Sequence, residues 1–235
     1  MPAPPAVDPE AAIVFAGIPT TNLALHHRIR FSCGDPTAYI EWPGRDGERH
    51  STLIIRDIEV DRARKQAPVD EVAAPATFAP AEGLSGDRET ATAQALAECL
   101  KRGEVHKAVA GRTLPLIYLD HMQRAGIEVE YHPDLGVAKR RAKDEQEIEA
   151  LRTAQSMTEA AMLLACRRIA AAKADADGVL RHEGEPLTAE RVRKEIDVFL
   201  LGRDFLNPRC IVAPGKIGGD CHDAGSGPIR TGEPV

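Results

Sequence analysis

No apolar run in this 235-residue sequence is long enough to cross a membrane, so no membrane partner is expected. The opening MPAPPAVDPE lacks the basic region and apolar core of a secretory signal. Basic residues are not in excess. Thirty Lys and Arg stand against 36 Asp and Glu, for a net charge of -6 and a pI near 5.8. That balance argues against a nucleic-acid partner, which needs a basic surface. The five cysteines (Cys33, Cys99, Cys166, Cys210 and Cys221) are odd in number and contain no CxxC pair. They read as reduced thiols, and the chain as cytoplasmic. Motifs of the GxxxxGK[ST], HExxH and GxSxG types are missing, and Gly215, Gly218 and Gly219 do not make a dinucleotide fingerprint. No internal repeat is visible.

What is present is globular. The hydrophobic content of 43% leaves no sign of general disorder, and the length suits one large domain or two ordinary ones. Residues 1–10 are proline-rich and read as a loose arm. Residues 12–15 (AIVF), 37–42 (TAYIEW) and 51–57 (STLIIRD) read as strands, the last following the turn RDGERH. Residues 20–29 predict a short helix carrying His26 and His27, both read as structural. Asp57, Glu59 and Asp61 would share one face of a strand, but acids at a helix start are favoured by the dipole, and a helix from Ile58 through Arg64 is the better reading. Residues 68–87 read as a loop with a short strand. Helices are expected over 89–101 and 115–124, and strands over 107–114 and 127–131. Alternation of strands and helices up to this point is that of an α/β domain.

The composition then changes. Lys139, Arg140, Arg141 and Lys143 form a basic cluster, and Asp144 with Glu147 has the spacing of a capping box. Ile148, Leu151, Ala154, Met157, Ala161 and Leu164 make one apolar stripe, predicting a helix to about residue 173. Residues 175–186 read as a charged loop with His182 exposed. A second helix is expected over 189–201, capped by Thr188, stapled by Leu187 onto Val192 and ended by Gly202. The last stretch, 208–235, begins with the apolar run Cys210 to Ala213, read as a buried strand. It continues through a glycine-rich loop holding His222 between Asp220 and Asp223. Its closing turn, Thr231 to Pro234, leads into Val235 as if to open another strand, so the 235 residues are expected to be the front of a longer protein.

These residues carry a resemblance. The run KRRAKDEQEIEALRTAQSMTEAAM, 139–162, resembles the helix that opens the catalytic domain of the pita-bread metallopeptidases, the aminopeptidase P, prolidase and creatinase family. CIVAPGKIGGDCHDAGSGPIRTGEPV, 210–235, resembles that family's first active-site hairpin, and RDIEVDRAR fits a strand-to-helix step of its N-terminal domain. The resemblance implies a creatinase N-terminal-like α/β domain, a mixed sheet with flanking helices, over 1–138. An incomplete α+β pita-bread domain would follow over 139–235.

The resemblance also implies an Xaa-Pro aminopeptidase or dipeptidase. Its substrate would be a peptide, with proline at the second position in many cases, and it would be hydrolysed by a water held between two divalent metals (Mn, Co or Zn). By the same resemblance, His222 is a catalytic residue that hydrogen-bonds the peptide near the scissile bond rather than a metal ligand. An imidazole suits that task because it can donate to an amide or an oxyanion. The family's five metal ligands would all lie past Val235. No metal or other cofactor is therefore expected in this chain, which alone should be inactive. A homodimer is a further implication. Two features depart from the family: Cys221 and Asp223 flank the histidine where relatives have a small residue and an aromatic, and Gly232-Glu233 stands for Gly-Asp. Cys210, Cys221 and His222 match no strong zinc spacing. Three alternatives stay open at this level: a non-catalytic pita-bread relative that binds a peptide or protein, a creatinase-type hydrolase of a small C–N compound, and an unrelated α/β ligand-binding protein.

Overall fold

A computed structural model describes residues 7–43 and 48–235. The first six residues of the proline-rich arm, and residues 44–47 of the turn before His50, lie outside the described residues. The chain divides into two compact units, Met1–Lys143 and Asp144–Val235.

The first unit is built on a six-stranded mixed sheet. Its strands are β1 (Ala12–Gly17), β2 (Thr37–Trp42), β3 (His50–Ile54), β4 (Glu71–Ala73), β5 (Lys107–Ala110) and β6 (Glu128–Tyr131), in the order β4-β3-β2-β1-β5-β6. Only β2 runs against the others, pairing antiparallel with β1 and β3. β1 is buried along nearly its whole length, which explains why AIVFAG reads as a continuous apolar run rather than an alternation. The helices α1 (Leu23–Ile29), α2 (Asp57–Gln66), α3 (Arg88–Arg102) and α4 (Leu116–Arg124) cover the two faces. Leu96, Leu100, Tyr118 and Met122 pack on one face against Val14, Ile40 and Ile54. Leu25, Ile29, Phe31 and Val60 pack on the other against Phe15, Tyr39 and Leu53. Fully burying each such aliphatic side chain contributes about 1.5–3 kcal/mol.

Local chemistry sets the element ends. Asn22 caps α1, its side-chain oxygen accepting from the Ala24 and Leu25 N–H groups, while its amide nitrogen donates to the carbonyls of Ala16 and Thr113. The strand expected over 51–57 ends at Ile54, because α2 begins at Asp57 with its acids in the first turn. A four-residue helix, α5 (Ala138–Arg141), closes the unit.

The second unit opens with α6 (Glu145–Ala171), 27 residues long, which begins with the full capping box Asp144/Glu147. The expected apolar stripe is only partly used. Ala161 is buried and Met157, Ala165 and Ile169 pack on the core, but Leu151 is exposed. The reason lies in length. The partner helix α7 (Ala189–Leu201) has 13 residues, roughly 20 Å, against roughly 40 Å for α6. Thr188 caps α7, and Leu187 and Val192 are both fully buried in the same core.

Two expectations fail here. Residues 175–186 are not simply a loop. They carry β8 (Leu180–His182) and β9 (Glu185–Pro186), which with β7 (Lys173–Ala174) make a small antiparallel sheet. His182 is accordingly half-buried rather than exposed, and its Nε2 accepts from Arg168 Nη1 at 2.6 Å. The second failure is Cys210 to Ala213, which forms no strand. Val212 and Ala213 are buried, but Ile211 is 49% exposed. The run lacks a neighbouring strand to complete a ladder, so apolar content alone does not make it one. The segment 208–235 forms two isolated β-bridges with the rest of its unit, Val179 to Arg230 and Thr188 to Pro228, and sends Val212 and Ile229 into its core. Among the described residues no helix is long and apolar enough to cross a membrane.

Candidate active-site loop

His222 sits in a loop that is closed at its neck and fixed from within. At the neck, the Val212 N–H donates to the Ala224 carbonyl at 3.0 Å. Arg193, on α7, drives one guanidinium nitrogen into the same place. Nη1 donates to the carbonyls of Ala224 and Gly225, the latter at 2.8 Å, with Val212 O at 3.5 Å. The close approach explains Gly225. Its φ is +84°, and a Cβ there would stand 1.7 Å from Val212 O.

Inside the loop, a 3-10 turn over Gly215–Gly219 leads to Asp220. The Asp220 carboxylate accepts from the His222 N–H at 2.8 Å, and the Asp223 carboxylate accepts from the Gly225 N–H at 2.8 Å. Arg209 Nη2 donates to the His222 carbonyl at 2.7 Å. Both backbone groups of His222 are thus engaged, and the residue itself is exposed. Beyond the neck, the Gly227 N–H donates to the Glu190 carboxylate at 3.1 Å. The Glu190 N–H, then that of Gly227, then the Thr188 hydroxyl hold this carboxyl below the usual range. The Gly215 N–H donates to Pro234 O at 2.8 Å, tying the loop to the last residues. The chemistry available is that of a histidine whose backbone is fixed by two charged side chains and whose ring is open to a ligand.

Sequence reading found His222 and its glycines but missed Arg193, Arg209 and Glu190. Arg193 looked like any charge on the polar side of α7. Its partners are backbone carbonyls 19 to 32 residues away, which leave no mark in the sequence.

The other candidates are structural. Glu59 pairs with Arg62 at 2.6 Å and Asp61 with Arg64 at 3.5 Å along α2. His26 and His27 lie on α1, half-buried, with His27 Nε2 3.2 Å from Arg30 Nη2. The described cysteines are free thiols. Burial, then the Glu71 charge, pushes Cys99 up to about 12, so it is an inert core residue, while Cys166 and Cys221 are exposed. Among the described residues no group of three or more His, Cys, Asp or Glu is arranged to hold a metal ion. The metal pair that the resemblance implies therefore finds no ligand set here.

No family model and no curated protein matches the sequence. Solved structures do. The chain is similar to an Xaa-Pro dipeptidase from Bacillus anthracis, at 18% identity and a TM-score of 0.68 over 94% of this chain and 54% of that one. It is similar to an X-Pro aminopeptidase from Thermotoga maritima MSB8, at 15% identity and 0.68 over 95% and 56%. It is also similar to the prolidase from Pyrococcus horikoshii OT3, at 16% identity and 0.64 over 95% and 54%. The chain spans little more than half the length of these structures. Over that length its fold is that of the N-terminal portion of prolidases and Xaa-Pro peptidases.

Proposed function

We propose that this chain forms the N-terminal domain and the histidine-bearing wall of a peptide-cleaving cleft in an Xaa-Pro exopeptidase of the aminopeptidase P and prolidase type. The observation that carries this reading is a fold likeness over about 95% of the chain to three enzymes of that description, together with His222 on a loop fixed at both of its backbone groups. The supporting chemistry is direct. An imidazole N–H can donate to the carbonyl of a bound peptide and to the negative charge that grows on it as the amide is attacked. Asp220 and Arg209 fix the backbone from which the ring projects, so less of the loop has to be ordered when substrate arrives. The paired divalent metals that activate water in this reading belong to residues outside those described, in the half of the fold that the neighbours have in addition. Cytoplasmic location, a homodimer and preference for proline at the second position are parts of the same proposal.

The test uses a protein that contains this chain joined to the remaining half of the fold, loaded with Mn²⁺, Co²⁺ or Zn²⁺. It should release the N-terminal residue from Xaa-Pro peptides, and His222→Ala should lower kcat by about 10²–10³-fold with KM little changed, the size of losing one oxyanion donor. Peptide binding without cleavage under every metal would favour the non-catalytic relative. Cleavage of a small C–N compound without metal would favour the creatinase type.

A further inference from the structure

A cavity of about 250 Å³ lies in the first unit, on the side of the sheet that α1 covers. It is unrelated to the His222 loop. Ile13, Phe15 and Leu135 give it an apolar wall, and Arg28, Glu41 and Lys139 give it charge. Glu41 is a carboxylate on a central strand, only 4% exposed. It is fully engaged, accepting from the Tyr39 hydroxyl at 3.0 Å and pairing with Arg28. Arg28 is paired with Glu41 through Nη2 and lies over the Tyr39 ring, but one of its nitrogens is left over, and Lys139 is a second cation on the same wall. Arg28 Nε is buried with no hydrogen-bond partner among the described residues, although a charge-bearing N–H that loses water without finding an acceptor is costly. Lys139 has no ion-pair partner among the described residues. The neighbouring Arg28 charge, and then burial, hold its ammonium below the usual lysine range. The first demand is for a hydrogen-bond acceptor and the second for negative charge, and a carboxylate offers both. The remaining acid of the lining, Asp134, forms no ion pair with either cation among the described residues. The volume is below the ~300–1,000 Å³ of a drug-sized site, so the ligand is small.

We propose that this cavity binds a small organic anion, with its carboxylate held between Arg28 and Lys139 and a short apolar tail against Phe15 and Leu135. The site stands whether or not His222 is catalytic, because it shares no residue with that loop. Titration of the 235-residue chain with sodium hexanoate, followed by NMR of its backbone amides and by calorimetry, tests it. Hexanoate should bind saturably and shift the amides of Phe15, Arg28 and Leu135. Its neutral counterpart, hexanamide, should bind about tenfold more weakly, the value of one charge-assisted contact. Lys139→Gln should weaken hexanoate by a similar factor at unchanged melting temperature. That variant carries the test if Arg28→Gln, which would leave Glu41 buried and unpaired, fails to fold. Equal binding of the two probes, no saturable binding of hexanoate in the millimolar range, or a Lys139→Gln chain that binds like the parent would each overturn the proposal.

Discussion

In the first unit, backbone polar groups find partners in a six-stranded ladder, and side chains fill clusters on both of its faces. The second unit has a single cluster and a 27-residue helix of which only Ala161 is buried. Its segment 208–235 contains no strand. The carbonyls of Val212 and Gly225 are met by the guanidinium of Arg193, which also reaches Ala224 O beside the Val212 N–H, and that of His222 is met by Arg209. Buried carbonyls must be paired somewhere. When sheet supplies the partners the load is spread over many residues, and when side chains supply them it rests on a few. A loop held in the second way can carry a histidine in a set position without a strand beneath it, and it is correspondingly open to single substitutions.

The largest expected effects separate the two modes. Leu53→Ala removes a fully buried side chain from the core beneath α1 and α2 and should cost about 2–5 kcal/mol, read as a fall in the melting of the first unit. Gly225→Ala should act locally. Its Cβ cannot coexist with Val212 O, and φ of +84° adds about 1–2 kcal/mol for a residue with a side chain. The Val212 amide should lose its hydrogen-exchange protection while β1 and β2 keep theirs. If Gly225→Ala left the Val212 amide protected, the neck would not be what fixes the loop.

Arg193→Met comes next in size. It deletes contacts from one cation to carbonyls on both sides of the neck, and hydrogen bonds to charged groups contribute about 1.5–3 kcal/mol each before solvent screening. We expect a loosening of residues 212–225 of about 1–3 kcal/mol in exchange free energy, with α7 itself unchanged. Arg193→Lys should recover only part of it, since all the contacts come from Nη1, which stands farther from the backbone than a lysine ammonium reaches. Full recovery by lysine would mean that charge alone holds the neck.

The same contrast explains what could be read from the sequence. Elements fixed by near neighbours were legible. The Asp144/Glu147 box starts α6, Thr188 caps α7, and the acids Asp57 and Glu59 stand in the first turn of α2. Elements fixed by distant partners were not. Cys210 to Ala213 has the composition of a strand and lacks a strand to pair with. The small sheet over 173–186 arises from the pairing of three very short segments, none of which has a period of its own. Within the site, His222 and Gly225 were visible because histidine and glycine are conspicuous residue types. Arg193 was not, because its role lies in where α7 puts it.

The smallest effect distinguishes the two latches of the second unit from each other. The partners of Arg193 at the neck are backbone carbonyls, which acid does not titrate. Glu190, which holds the Gly227 N–H, is a carboxylate whose folded pKa lies below its unfolded value of about 4.3. The unfolded chain therefore takes up its proton first as pH falls. The stabilisation from Glu190 is complete above about pH 4.3 and is lost as pH drops through the lower, folded pKa. Asp70 in the first unit behaves alike, depressed by the Ser51 hydroxyl and then by the Ser51 N–H. Between pH 6 and pH 3 the Gly227 amide should shift and lose protection late in the titration, while Val212 stays protected. Glu190→Gln should flatten that response without touching the neck. A Gly227 transition at or above the ordinary glutamate value, or one shared by Val212, would show that the two latches are a single unit and that the distinction drawn between them is wrong.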